Sequence, residues 1–489
     1  MRVTSSMIMN NARTNINNNK AAVDRTAMAV ATGKKIQVPS DDPIIAIRAL
    51  KLRNNLNELN QYYERNVEDA ISWMELTEGA LTNMRTSVKD MYDAYMRGAN
   101  GEMHVEERNA LKNELVALRQ GIMEICNDKS VGRNIFTGYK TSTNFTFMED
   151  NDKSYIITQN FSGMDISDFS YVSSITDFDR TSIDGVAENK MPQLNTIHRL
   201  SLGYTNLGDI KDIDLGGLNI AVNTVHLNGS NADTAYLPKE DEINYIPETG
   251  ELIIGDKVYE QLAALKPKED GTLPITVKYE KTGFQKYDAR PEMYYTCTDI
   301  TNPNKPIEYT KEDQEIAYTV NFSQKLTVNT QISDVIGRDL IRNIDDLINC
   351  LQRVESAQAK VDEIQEMIDS GRYSDKSDEL QTHLESAQKE LDLQKGILQD
   401  IMEAGVGQTQ RYQESITVAI TDVGNRGRRL ELIKERLADQ QTNFKDLQSQ
   451  NEDITESDAL LDESAAKLAY ESALTVTGEI SGLGLLNYL

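Results

Sequence analysis

The residues best placed for chemistry are two adjacent carboxylates, Asp41 and Asp42, within the segment Pro39-Ser40-Asp41-Asp42-Pro43. Paired carboxylic acids suggest general acid–base work, in which neighbouring groups hold and release a proton. The same five residues also describe a helix start, and that is the stronger reading. Asp42 stands at the N-cap and Pro43 at the first helical position, with negative charge at the positive end of the helix. Elsewhere the chemistry thins out. His104, His198, His226 and His383 are scattered, with no HExxH and no cysteine close by. Cys126, Cys297 and Cys350 form no CxxC pair and no disulfide framework. Cys126 and Cys350 are most simply buried small apolar residues. Asp150-Asn151-Asp152 opens like a calcium loop but lacks the glycine required at position six. Phosphate-binding loops and nucleophile elbows are missing too. The expectation is a protein that is not an enzyme, with no catalytic, cofactor-binding or metal-binding residues.

The elements around these residues are mostly helical. Eight of the ten prolines lie between Pro192 and Pro306, and the stretches 44–191 and 307–489 contain none. Each interior proline would cost a helix about 3 kcal/mol, so those stretches permit long helices. Leu52, Leu56, Leu59, Tyr63, Asn66, Ala70 and Trp73 step alternately by four and three, the spacing of a helix packed on another. After a stutter the stripe resumes at Leu81, Met84, Val88, Met91 and Tyr95. Gly98-Ala99-Asn100-Gly101 ends that helix, and a second follows from Leu111 through Leu115 and Ile122.

The C-terminal third has the same period. Leu430, Ile433, Leu437, Gln440, Phe444, Leu447, Asn451, Ile454, Asp458, Leu461, Ala465 and Leu468 alternate without a slip. This predicts one continuous rod, in which Gln440, Asn451 and Asp458 fix register and partner. A helical hairpin is expected at about 352–405, its arms separated by Ser370-Gly371-Arg372-Tyr373-Ser374. Between the helical halves, about 141–328, alternation at Ile275, Val277 and Tyr279 and at Tyr318, Val320 and Phe322 signals strands. Ile243–Ile246 and Leu252–Ile254 flank a turn at Pro247-Glu248-Thr249-Gly250. The fold class expected is mainly α: a long bundle or coiled coil formed by both halves, with an inserted β-rich middle domain. The two halves then pack together, antiparallel or staggered.

With 51 Lys+Arg against 78 Asp+Glu, the net charge is −27. Such a surface repels phosphates and anionic lipid, so neither nucleic acid binding nor membrane insertion is expected. Residues 1–35 are the exception, with Arg2, Arg13, Lys20, Arg25, Lys34 and Lys35 facing only Asp24. No apolar signal-peptide core is present there, and six asparagines in residues 10–19 are a poor basis for a helix.

Several motifs together resemble a known family. Thr32-Gly33-Lys34-Lys35-Ile36 followed by Pro39–Pro43 is similar to the N-terminal signature of the flagellin superfamily, and within it to the hook-associated protein 3 (FlgL) family. Tyr63-Glu64-Arg65-Asn66, Ser72-Trp73, Thr77–Leu81, Ala94–Asn100 and Gly132–Gly138 extend the likeness. So do Val423–Glu431, where Gly427 replaces a larger apolar residue, and the ending Leu485-Leu486-Asn487-Tyr488-Leu489. Pro43 after the paired aspartates, and that tail, favour the hook-associated branch over filament flagellin. The likeness covers about 1–140 and 408–489, more weakly 330–351. It does not extend to the hairpin or the middle domain.

The resemblance implies a structural component of the bacterial flagellum, secreted unfolded through the flagellar type III export apparatus. It would form a homo-oligomeric ring at the hook–filament junction, beside another hook-associated protein and flagellin. An export chaperone of the FlgN type would cover the C-terminal amphipathic helix beforehand. The domains expected are a disordered-to-helical assembly segment at 1–43 and a first bundle half at 44–140. A β-rich outer domain follows at 141–328, a second bundle half with the hairpin at 329–430, and an assembly helix at 431–489. Neighbouring subunits would bury Met7, Ile8, Ile16, Val23, Leu483, Leu485 and Leu486. The expected bundle seam comprises Leu52, Leu56, Leu59, Trp73, Leu430, Leu437, Phe444, Leu447, Ile454, Leu461 and Leu468. Filament flagellin, a secreted helical translocator or adhesin, and an enzymatic insert are the rival readings.

Overall fold

A computed structural model describes residues 5–482, apart from 101–102, 174–190, 228–233, 266–272, 313 and 372–373. In chain order its helices are α1 (Ser5–Thr32), α2 (Pro43–Gln61), α3 (Val67–Ala99), α4 (Val105–Ile125), α5 (Asp256–Ala263), α6 (Pro291–Tyr294), α7 (Ile332–Val335), α8 (Asp339–Asp369), α9 (Ser377–Glu452) and α10 (Glu456–Gly482). The strands are β1 (Lys129–Ser130), β2 (Arg133–Asn134), β3 (Asn151–Phe161), β4 (Ser167–Ser173), β5 (Gln193–Ser201), β6 (Ile210–Leu215), β7 (Ala221–Thr224), β8 (Glu242–Ile246), β9 (Glu251–Ile254), β10 (Ile275–Phe284), β11 (Thr296–Asp299), β12 (Ile307–Tyr309), β13 (Ala317–Asn321) and β14 (Gln324–Thr327). The fold is mainly helical with a β-rich middle, as the sequence predicts. It divides into two compact units. The first comprises residues up to Ile71, Tyr318–Leu326, and residues from Arg428 onward; the second comprises Ser72–Ala317 and Thr327–Gly427.

In the first unit, α1 and α10 run side by side. Their abundant alanines and serines carry little bulk, which lets the two backbones come close. The chain is helical across the asparagine run. Asn19 donates from Nδ2 to the Ala469 carbonyl at 3.1 Å.

A five-residue π turn, Tyr62–Asn66, joins α2 to α3 without a break. Its extra residue rotates the stripe, so Tyr62 and Val67 are buried where the heptad places Tyr63 and Asn66, which are half-buried. The turn meets the β13–β14 hairpin. Asn66 Nδ2 donates to the Thr319 carbonyl at 2.7 Å, and the Tyr62 ring meets Phe322 edge-on at 5.6 Å. Lys434 and Glu68 pair at 2.6 Å, and Gln441 donates to Asn60 at 2.7 Å, so α2–α3 and the end of α9 lie against each other.

The expected rod is corrected here. The second arm of the hairpin does not end near residue 405, nor does a new helix begin at 431. Helix α9 is continuous for 76 residues and stops at Glu452, and the chain restarts as α10 after Asp453-Ile454-Thr455. Asp458 does not fix a seam. It accepts from the Thr455 hydroxyl at 2.6 Å, while its own N–H donates back to Thr455 Oγ1 at 3.2 Å, a capping arrangement.

In the second unit, the remainder of α3 buries Trp73, Leu81, Met84, Val88, Met91 and Tyr95. Thr77 fills the stutter, its hydroxyl donating to the Trp73 carbonyl at 2.7 Å. Helices α3 and α9 approach closely at two glycines: a Cβ on Gly405 would lie 2.4 Å from the Tyr95 ring, and one on Gly98 2.7 Å from Met402 Sδ. Helix α4 packs on α8, with Arg119 ion-paired to Asp345.

The β-rich part contains two five-stranded sheets, ordered β12-β11-β3-β10-β6 and β4-β5-β9-β8-β7. Their inner faces share one core, in which Tyr155, Ile157, Val277 and Tyr279 meet Leu200, Tyr245, Leu252 and Ile254. Ile275, Val277 and Tyr279 are buried in alternation, as their spacing predicts. The expected boundary at 328 shifts. Tyr318–Leu326 joins the first unit, and the two sheets share the second unit with α4, α8 and the first part of α9.

Candidate assembly surface

The helix-start motif lies in the first unit and is a structural joint. The Asp42 carboxylate accepts from the Ile44 and Ile45 amides at 2.9 and 3.1 Å, and Pro43 occupies the first turn. Asp41 turns the other way and accepts from the Val38 and Gln37 amides at 3.1 and 3.0 Å; those bonds hold its carboxyl below the usual range. Arg25 stands 3.8 Å away. Both carboxylates are thus engaged by backbone donors, with no proton-sharing contact between them, and each organises one side of the α1–α2 connection.

That connection meets the α9–α10 break. Gly33, at φ +69°, turns the chain out of α1. The Lys35 amide donates to the Glu452 carbonyl at 2.7 Å, and the Ile454 amide donates to the Gly33 carbonyl at 3.0 Å. Side chains close the joint. The Glu452 carboxylate, almost fully buried, takes two bonds from Arg53, Nε at 3.0 Å and Nη2 at 2.5 Å, with Lys34 Nζ 3.5 Å away. Lys34 also pairs with Asp453, and Lys35 donates to the Gln450 carbonyl at 2.8 Å. Burial pushes the Glu452 carboxyl up, but Arg53 and Lys34 outweigh that and hold it below its ordinary value. Bonds from Lys34 and then Ser449 lower Asp453 likewise, and the Asp453 bond raises Lys34.

Beyond the joint, α1 and α10 are barely covered. Ala12 and Ala459 are the only buried residues among those whose side chains are described. Met7, Ile8, Met9 and Met28 of α1 are exposed, as are Leu460, Leu461, Leu468, Leu474 and Val476 of α10. Ile16 and Val23 are half-buried, while Leu483, Leu485 and Leu486 lie outside the described residues. An isolated pair of helices so thinly covered gains little from its own packing, and clustered apolar exposure marks a surface meant to be covered.

The expected seam is brought together only in part. Leu59, Leu430 and Leu437 are buried, Leu52, Leu56, Phe444 and Ile454 half-buried, and Trp73 is buried in the second unit. Leu447 faces outward near the end of α9, and Leu461 and Leu468 are exposed, Leu461 at 69%, on α10, which packs beside α1. The motif reading also missed a face of α2. Ile44, Ile47 and Leu50 are each more than half exposed, whereas Ala46 and Ala49 on the same helix are buried. Their three-residue spacing directly after Pro43 is a visible signal of a second apolar face.

Among the described residues, no helix is long and apolar enough to cross a membrane, and no group of three or more His, Cys, Asp or Glu could hold a metal ion.

Residues 3–141 match the family model described as the bacterial flagellin N-terminal helical region. Over 142 residues the chain is 29% identical to flagellar hook-associated protein 3 of Salmonella typhimurium, covering 29% of this chain and 44% of that one. Over 148 residues it is 27% identical to polar flagellin F of Vibrio parahaemolyticus, covering 29% of this chain and 39% of that one. The chain thus spans less than half the length of these curated relatives. The solved flagellar hook-associated protein 3 of Legionella pneumophila aligns with 82% of this chain and 97% of its own at 12% identity, with a TM-score of 0.29, too low to carry an argument. The likeness to the hook-associated protein 3 family that the motifs carry is borne out in the N-terminal region.

Proposed function

We propose that this protein is a structural subunit of the bacterial flagellum that forms the junction ring between hook and filament. The observation that carries the reading is the apolar exposure on α1 and α2, inside the stretch that matches the flagellin N-terminal region, and on α10, which packs beside α1. In the ring, neighbouring copies cover Met7, Ile8, Ile16 and Val23, and with them the tail residues Leu483, Leu485 and Leu486. Leu461 and Leu468 turn to subunits rather than to a partner helix within the chain. The subunit leaves the cell through the flagellar type III export apparatus, with a FlgN-type chaperone on its C-terminal helix. Another hook-associated protein and flagellin are its neighbours. Removing residues 470–489 tests this in the flagellated bacterium: the truncated subunit should fail to join the hook tip, and unpolymerised flagellin should appear in the medium. Normal filaments on such cells would overturn the assembly role of the tail.

A filament subunit is the second reading, favoured by the similar identity to a polar flagellin. One ring per flagellum separates it from a subunit repeated along the filament.

A further inference from the structure

Two apolar faces of the first unit lie close to the joint. One is on α2, at Ile44, Ile47 and Leu50, and the other is on α10, at Leu461 and Leu468. All five side chains are more than half exposed, so the two faces do not cover each other within one chain.

Their charged borders are of opposite sign. From Pro43 to Asn57 the chain carries Arg48, Lys51 and Arg53 and no acid, although its net charge is −27. Glu452 takes Arg53, whereas Arg48 and Lys51 are exposed and have no ion pair among the described residues. They stand four and seven residues beyond Ile44, which places them along the same side of α2. From Glu456 to Ala466 the signs reverse, with Glu456, Asp458, Asp462 and Glu463 and no base. Lys467 takes Glu463 at 2.9 Å, while Glu456 and Asp462 are exposed and have no ion pair among the described residues. Asp462 adjoins Leu461 in the chain. A basic-edged apolar face therefore stands open near an acidic-edged one, and opposite potentials select which surfaces meet.

Like charges oppose either face meeting its own copy. A contact of α2 with α10 avoids this, and it is heterologous, the kind that repeats around a ring. Such repetition needs both faces held in one fixed relation in every copy. The joint supplies that through the Lys35–Glu452 and Ile454–Gly33 backbone bonds. We propose that the α2 face of one copy docks on the α10 face of a neighbouring copy, with Ile44, Ile47 and Leu50 against Leu461 and Leu468 and with Arg48 and Lys51 facing Glu456 and Asp462. This rests on the junction-ring reading and adds which faces of neighbouring copies meet.

Cysteine cross-linking on isolated flagella tests it. Ile47→Cys and Leu461→Cys replace exposed side chains, and Cys126, Cys297 and Cys350 are buried. A chain with both substitutions should give a ladder of covalent multimers on oxidation with copper phenanthroline, because each copy offers a different thiol to each of its neighbours. Either substitution alone should give none. Dimers from one substitution alone overturn the contact, as do missing multimers on flagella that carry the doubly substituted subunit at the hook tip; both leave the junction reading standing. Absence of the unsubstituted subunit from the hook tip fails that reading, and the contact with it. Charge exchange decides the matter should the cysteine chain fail to assemble. Lys51→Glu should lower the amount of subunit held on flagella several-fold, and Asp462→Lys in the same chain should restore it. No loss from the first substitution, or no rescue by the second, overturns the contact.

Discussion

Replacing Arg53 with methionine isolates what closes the joint between the α1–α10 pair and the α2–α9 helices. The substitution keeps an aliphatic stem and removes two charge-assisted bonds from a Glu452 carboxylate that is only 2% exposed. Bonds of that kind are worth about 1.5–3 kcal/mol each when dry. Arg53 is itself 54% exposed, so water screens much of that. Lys34, 3.5 Å from the same carboxylate, remains. About 2 kcal/mol is left for the pair after that discount. This corresponds to roughly a thirtyfold shift of the joint toward its open form. Amide hydrogen exchange reads it directly, because the Lys35 and Ile454 N–H groups donate across the joint to Glu452 and Gly33. Both should exchange about thirtyfold faster in Arg53→Met, while amides of buried α3 positions such as Val88 and Met91 keep their protection. Unchanged exchange at Lys35 and Ile454, or an equal loss along α3, would refute the idea of a locally locked joint.

Acid should loosen the same joint. Glu452 titrates below its ordinary value, so its stabilisation is complete above the unfolded glutamate value of about 4.3 and is lost as pH falls through the lower native value; carboxyl chemical shifts against pH check this. Gly405→Ala reverses the usual helix preference: propensity alone predicts a gain of about 1 kcal/mol, but the added Cβ would sit 2.4 Å from the buried Tyr95 ring. The net effect in urea denaturation should be a loss of about 1–3 kcal/mol. Asp42→Ala removes the acceptor for the Ile44 and Ile45 amides and should cost about 1 kcal/mol, with fraying of the first turn of α2 visible by amide exchange.

Helix and strand content was legible because it rests on local period. Leu81–Tyr95 and Ile275–Tyr279 bury the residues their spacing selects. What escaped the heptad count were single-residue changes of phase. The π turn at Tyr62–Asn66 exchanges Tyr63 and Asn66 for Tyr62 and Val67, and a hairpin more than 250 residues away in sequence secures it through the Thr319 carbonyl. The break at Asp453–Thr455 was also overrun, although Thr455-Glu456-Ser457-Asp458 spells a capping box. Nine apolar positions in twelve made the rod look continuous. Periodicity reports which face is apolar, not whether this chain or a neighbour covers it, and Leu461 and Leu468 are the result. The pairing of Arg53 and Lys34 with Glu452 and Asp453 was beyond reach, because charges some 400 residues apart give no local signal. The aspartate pair was legible in full: the N-cap reading needs only Asp42, Pro43 and the helix that follows.

The central claim is a place in the flagellum, and labelling measures it most directly. An epitope inserted after Gly217, an exposed residue in the turn after β6, can be detected with gold-conjugated antibody on flagellated cells by electron microscopy. The account predicts a single cluster of label on each flagellum, where the hook meets the filament. Label repeated along the filament, or none on flagella that are otherwise intact, would contradict it.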